Sequence, residues 1–258
     1  MHRSAPATPE KAHAPAPRIR LARVLACAAV PVMLVAVGCS SDSGGDKKKP
    51  DSASASSSSS ASGGKQSSAS PSLAPAKFTK LPEPCPSISE KAIDEYVPKA
   101  KAKAGVVGKT SDPQSQASCT WNGLEDKGVD GSQYRWLDID FKRYDSTPGL
   151  GSGDVLARKQ FDHAVSSAQS TDNAQNVKTA PVSGLGDQAT SITFDLKKDE
   201  ATFRYAVVVV RTANAVIAID YNGTGYQGAD APDTGNVQGG ANALAKEAVA
   251  AVAAANNK

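Results

Sequence analysis

Tyr134, Trp136, Asp138 and Asp140 fall at every second position of the stretch Gln133 to Tyr144, with Leu137, Ile139 and Phe141 between them. In an extended strand successive side chains point to opposite faces. The spacing therefore predicts two aromatic rings and two carboxylates on one face and an apolar core face behind them. Paired carboxylates can divide acid and base roles or hold a cation, and exposed aromatics serve as contact anchors. Alternating acids also occur as the plain solvated side of a strand, so the four residues are a possible surface contact and no more.

Other candidates offer less. His163 stands between Phe161 and Val165 in a helical pattern, with no nucleophile or orienting partner nominated by the sequence, and a general base needs both. Gly149-Leu150-Gly151-Ser152-Gly153 lacks the Gly-Lys-Ser/Thr ending of a phosphate-binding loop. Gly184-Leu185-Gly186-Asp187 leads into a strand, where no helix dipole awaits an anion. Both read as turns that use glycine for positive φ. Asn222-Gly223-Thr224 is formally a glycosylation sequon. No catalytic constellation, cofactor site or metal site is expected.

The elements that position these residues begin beyond residue 77. Ser87-Ile88-Ser89-Glu90 reads as a capping box, opening a helix with Ile88, Ala92, Ile93, Tyr96 and Val97 apolar and Pro98 ending it. A short strand is expected at Ala117 to Trp121, a strand at Gln133 to Tyr144, and a helix at Ser152 to Ala168 with Phe161, Ala164, Val165 and Ala168 inward. Four strands follow at Val177 to Val182, Ala189 to Leu196, Phe203 to Arg211 and Ala215 to Tyr221, joined by hairpin-length turns. The unbroken Val207 to Val210 run reads as a strand covered on both faces, and the alanine-rich Val237 to Ala255 as a closing helix. The sum is an α+β domain over residues 78–258: an antiparallel sheet of about five to six strands with three helices packed on a face.

The first 38 residues read differently. Arg3, Lys11, Arg18, Arg20 and Arg23 face a single acid, Glu10, and the chain then runs apolar from Val24 to Val37, broken by Pro31. That is a signal-peptide pattern, shorter than the roughly 20 residues a spanning helix needs. Ala36-Val37-Gly38-Cys39-Ser40 resembles the lipobox of bacterial lipoproteins, with Ala36 where that pattern prefers Leu. The resemblance implies cleavage before Cys39, lipidation of its thiol and anchoring outside the cell membrane. Residues 39–77 are rich in Ser, Ala, Gly and Lys, with five consecutive serines from Ser56 to Ser60. Such a segment is predicted to be a disordered tether.

Cleavage would also correct the charge. Residues 1–38 hold five of the 29 Lys and Arg and one of the 26 Asp and Glu, so the formal +3 becomes −1. Nucleic acid drops out as a partner, because its binders need an excess of basic groups. Of four cysteines, Cys27 leaves with the signal and Cys39 is acylated, which leaves Cys85 and Cys119. In an oxidising compartment these read as a disulfide, with a metal pair as the weaker alternative.

Cys85 before a first helix, the Cys119-Thr120-Trp121 strand and the Gly184-Leu185-Gly186-Asp187-Gln188-Ala189 turn together resemble a family of actinobacterial lipoproteins of unknown function, over about Leu81 to Val249. The resemblance implies compartment and topology, and carries over no catalytic residue. The expected function is a non-enzymatic binding or interaction module of the cell envelope. Its partner would be an envelope protein, a cell-wall polymer or a small ligand. The alternatives are an envelope hydrolase using Asp138 and Asp140, and a sensor-like domain acting through a membrane partner.

Overall fold

A computed structural model describes residues 73–257. The signal peptide, Cys39 and nearly all of the serine-rich tether lie outside these residues. Among the described residues no helix is long and apolar enough to cross a membrane.

The chain enters through Phe78, which is buried, and makes one turn of 3-10 helix at Cys85–Ser87. Helix α1 follows at Glu90–Tyr96. The capping residue differs from the sequence expectation. Ser89, not Ser87, caps α1 by accepting from the Ala92 amide, while Ser87 donates its hydroxyl to the Pro84 carbonyl in the preceding turn. The buried disulfide is the physical reason: Cys85 must reach Cys119, so the segment up to Ser87 turns tightly and the helix starts later. Cys85 and Cys119 are bonded, with Cα atoms 5.2 Å apart.

Strands β1 (Val106–Val107), β2 (Gln116–Asp126), β3 (Ser132–Arg143), β4 (Gln175–Pro181), β5 (Gln188–Lys198), β6 (Ala201–Thr212) and β7 (Ala215–Tyr226) form one antiparallel sheet in the order β1-β2-β3-β7-β6-β5-β4. The sheet has seven strands rather than five to six. The extra one, β1, is a two-residue edge piece with no room for an alternation to show. Helix α2 (Gly153–Gln169) carries the chain from β3 to the far edge. The β4 to β7 meander then returns until β7 pairs with β3 along its whole length.

Helices cover both faces, not one. Helix α2 sets Ala157 and Phe161 against Ile192, Phe194, Val209 and Val216. On the opposite face, α3 (Thr234–Asn256) buries Val237, Ala241, Leu244, Ala245, Ala248 and Val252 against Leu137, Ile139, Val208, Val210, Ile217 and Ile219. The small alanines let the helix approach the sheet closely, and α1 and the disulfide close the same core. The Val207 to Val210 run is covered on both sides as its composition predicts, since Val208 and Val210 face α3 while Val207 and Val209 face α2. Both edges are blunted: β1 is two residues long, and β4 ends at Pro181, which has no N–H to offer.

Candidate functional site

Helix α2 packs on β5, β6 and β7. Its length is set by capping: Ser152 accepts from the Val155 amide at the start, and the Ser170 amide bonds the Ser166 carbonyl at the end. Beyond its reach, toward the Ser132 end of β3, the same sheet face is open. Strand register fills that opening row by row. One row runs Asn122, Trp136, Asn222, Tyr205 and Phe194 across β2, β3, β7, β6 and β5. The next runs Thr120, Asp138, Asp220 and Val207. Tyr134 lies one step toward the sheet end, opposite Leu124 on β2 and Thr224 on β7.

The four residues singled out from the sequence thus share one face, and each meets a different neighbour. Tyr134 joins Phe203 and Tyr226 in a triangle of rings with centroids 6.1 to 6.4 Å apart, tilted or edge-on. Such geometry sets the positive edge of one ring toward the face of another. Trp136 and Tyr134 line an open cavity of about 550 Å³, closed on the other side by Phe203, Tyr205, Asp220 and Asn222. A second hollow, of about 930 Å³, adjoins it and shares Lys198, Phe203 and Tyr226. Asp138 and Asp140 stand on the same strand face, outside the cavity lining.

Charge is unevenly balanced here. Burial pushes the Asp138 carboxyl up to about 7, helped by Asp140 beside it and by Asp220, its directly opposite partner on β7. Asp220 is also raised, chiefly by burial, even though Asn222 donates to its Oδ1 at 3.0 Å and Lys198 opposes the shift. Burial likewise raises the Tyr134 phenol. Lys198 is the cation nearest the rings: its Nζ donates to the Tyr205 hydroxyl at 2.6 Å and sits 4.9 Å from the centroid of Phe203. Among the described residues no three His, Cys, Asp or Glu side chains are grouped as metal ligands.

The remaining sequence candidates lie elsewhere. His163 is exposed on α2. Asn222 of the sequon is buried within β7, and its Nδ2, the atom that a glycan would occupy, donates to Asp220 Oδ1. Gly184 and Gly186 have φ of 77° and 56°, as their turn requires. That turn places Asp187 to accept from the Ala213 amide, and Asp187 and Asp154 both face the buried Arg211 guanidinium.

Sequence reasoning missed Lys198, Phe203, Tyr205, Asp220, Asn222 and Tyr226 as site residues. A signal existed in part: Ala218, Asp220, Asn222 and Thr224 alternate with Ile217, Ile219 and Tyr221. Reading the last strand as ending at Tyr221 cut it short, because β7 continues to Tyr226. No protein family matches the chain, and no curated protein is significantly similar to it.

Proposed function

We propose that this chain is a lipid-anchored protein of the bacterial cell envelope, displayed on the outer face of the membrane, whose domain is a non-enzymatic binding module. The observation that carries the binding reading is the aromatic cavity on the sheet face beyond α2. Concave, largely apolar sites with a few convergent polar groups are where ligands bind, and exposed aromatic clusters are the residues most often used as anchors. The compartment reading rests on the charged and apolar leader, the Ala36 to Ser40 motif, the serine-rich tether and short motifs that resemble those of actinobacterial lipoproteins. The Cys85 to Cys119 bond suits the same oxidising compartment.

Hydroxyl-radical footprinting tests the binding reading. Trp136 and Tyr226 should be oxidised less in intact producing cells than in the purified full chain, while a peptide carrying exposed Leu150 should react alike in both. Equal reactivity of Trp136 and Tyr226 in the two settings sinks the reading.

One observation favours a second reading, an envelope hydrolase. Burial, with Asp140 and Asp220 beside it, pushes the Asp138 carboxyl up to about 7, and a carboxyl raised in this way can serve as a general acid or base near neutral pH. In that case Asp138→Asn with Asp140→Asn abolishes turnover of a cell-wall substrate. Absence of turnover in the unmodified chain removes the idea.

A further inference from the structure

The cavity beside Trp136 belongs to a domain for which a binding role is proposed above, and the inference drawn here rests on that reading and names the ligand class. Four kinds of ligand can be weighed by charge. An anion meets the Asp220 carboxyl in the cavity lining, with Asp138 directly opposite it on β3, and like charges at close range are disfavoured. A cation finds its place already taken, because Lys198 lies 4.9 Å from the Phe203 centroid and 5.3 Å from that of Tyr205. A purely apolar ligand would cover Asp220 and Asn222 and leave Asp220 Oδ2 and Asn222 Oδ1 without partners, which is costly. An uncharged, hydroxyl-rich ligand with an apolar face meets none of these objections.

We infer that the cavity lined by Trp136, Tyr134, Asp220 and Asn222 binds the pyranose ring of a neutral saccharide. A pyranose presents C–H bonds on one flat side and hydroxyls around its rim. The flat side suits the half-exposed indole of Trp136, whose π face is electron-rich. The rim hydroxyls donate to the Asp220 carboxylate and the Asn222 Oδ1, and accept from Lys198 Nζ, which has two N–H donors left beside its bond to the Tyr205 hydroxyl. The adjoining 930 Å³ hollow leaves room for a second ring along Tyr226, so an oligosaccharide is bound better than a monosaccharide.

The protein supplies its own reporter. It has two tryptophans. Trp121 is fully buried in the core beyond the sheet and donates its Nε1 to the Lys103 carbonyl, while Trp136 lines the cavity. The detergent-solubilised full chain is titrated with cellotetraose, maltotetraose and the tetramer of β-1,4-linked N-acetylglucosamine, with tetramethylammonium chloride and inorganic phosphate alongside. A saturable change in tryptophan emission with at least one tetrasaccharide is expected, with little change for the two salts. Calorimetry should then show binding weakened about tenfold or more in Trp136→Ala and in the isosteric Asp220→Asn, and unchanged in Lys246→Ala on the exposed side of α3. Lack of saturation with all three sugars, or binding indifferent to both cavity variants, overturns the saccharide assignment. Saturable binding of tetramethylammonium that is lost in Asp220→Asn would also overturn it, while leaving the cavity as a binding site. Loss of the cellular protection of Trp136 and Tyr226 would instead overturn the broader binding role.

Discussion

Asn214 and Phe78, 136 residues apart, hold each other through two hydrogen bonds: the Phe78 amide donates to Asn214 Oδ1 at 2.7 Å, and Asn214 Nδ2 donates to the Phe78 carbonyl at 2.9 Å. The same Nδ2 also donates to the Tyr144 carbonyl at 2.8 Å. One buried amide in the β6 to β7 turn thereby fastens the entering chain to the end of β3. Asn214→Ala leaves a buried N–H and carbonyl without partners, so about 2–4 kcal/mol of stability should be lost. Denaturant unfolding of the variant checks this, and an unchanged midpoint would show that the clamp contributes nothing.

Asp138 gives a pH signature whose sign can be worked out. Its folded pKa, about 7, is above the ordinary 3.8. The folded state therefore binds more protons between these values, and stability falls as pH rises through that window. Asp138→Asn removes the cost of ionising the group and should stabilise the protein more at pH 8 than at pH 5. Because the carboxyl is part-exposed, the gain at pH 8 is on the order of 1–2 kcal/mol rather than the full converted shift. Equal midpoint changes at the two pH values would refute the assignment.

Most of the frame was legible because it rests on alternation. Leu137, Ile139 and Phe141 announce the core face of β3, and the β4 to β7 meander follows from four short apolar runs with hairpin-sized gaps. What could not be read was register between strands distant in sequence. Asp138 sits opposite Asp220, and Trp136 opposite Asn222, only because β7 inserts between β3 and β6. The cavity is a product of that pairing, so only Tyr134 and Trp136 of its eight lining residues could be read from the sequence. The misplaced helix cap had a local cause: Ser87 and Ser89 are both good capping residues, and the disulfide decides between them.

Breaking the disulfide should be costly. Cys85 and Cys119 are separated by 34 positions, and closing such a loop stabilises by about 3–4 kcal/mol on the chain-entropy view. The double variant Cys85→Ala with Cys119→Ala should unfold at correspondingly lower denaturant. Added reductant should then leave the variant's midpoint unchanged, whereas the unmodified protein should lose stability in reductant.

Gly123 on β2 lies under the segment that follows α1. A Cβ there would come within 2.3 Å of the Pro98 carbonyl oxygen and 3.1 Å of the Ala100 amide nitrogen, and both are backbone atoms. Gly123→Ala should cost about 1–3 kcal/mol by overpacking. Gly128→Ala offers a contrast, since its position is open, although its φ of 61° carries its own strain. Thermal melts of the two should place Gly123→Ala lower.

Lipidation is checked at Cys39. Cys39→Ser expressed in the producing bacterium should shift from the membrane to the soluble or secreted fraction, and should keep the mass of an unacylated chain. Persistence in the membrane with unchanged mass would refute the anchor.

The Asn214 clamp has a geometric consequence. Phe78 is fixed beside the turn that joins β6 to β7, whereas Tyr134, Phe203 and Tyr226 gather at the far ends of their strands. Ten or so residues of strand separate the two, about 30 Å at the usual rise. The entering chain and the aromatic hollow therefore occupy opposite ends of the sheet, so a substitution at the Phe78 clamp can be judged on stability alone, without disturbing the hollow's lining.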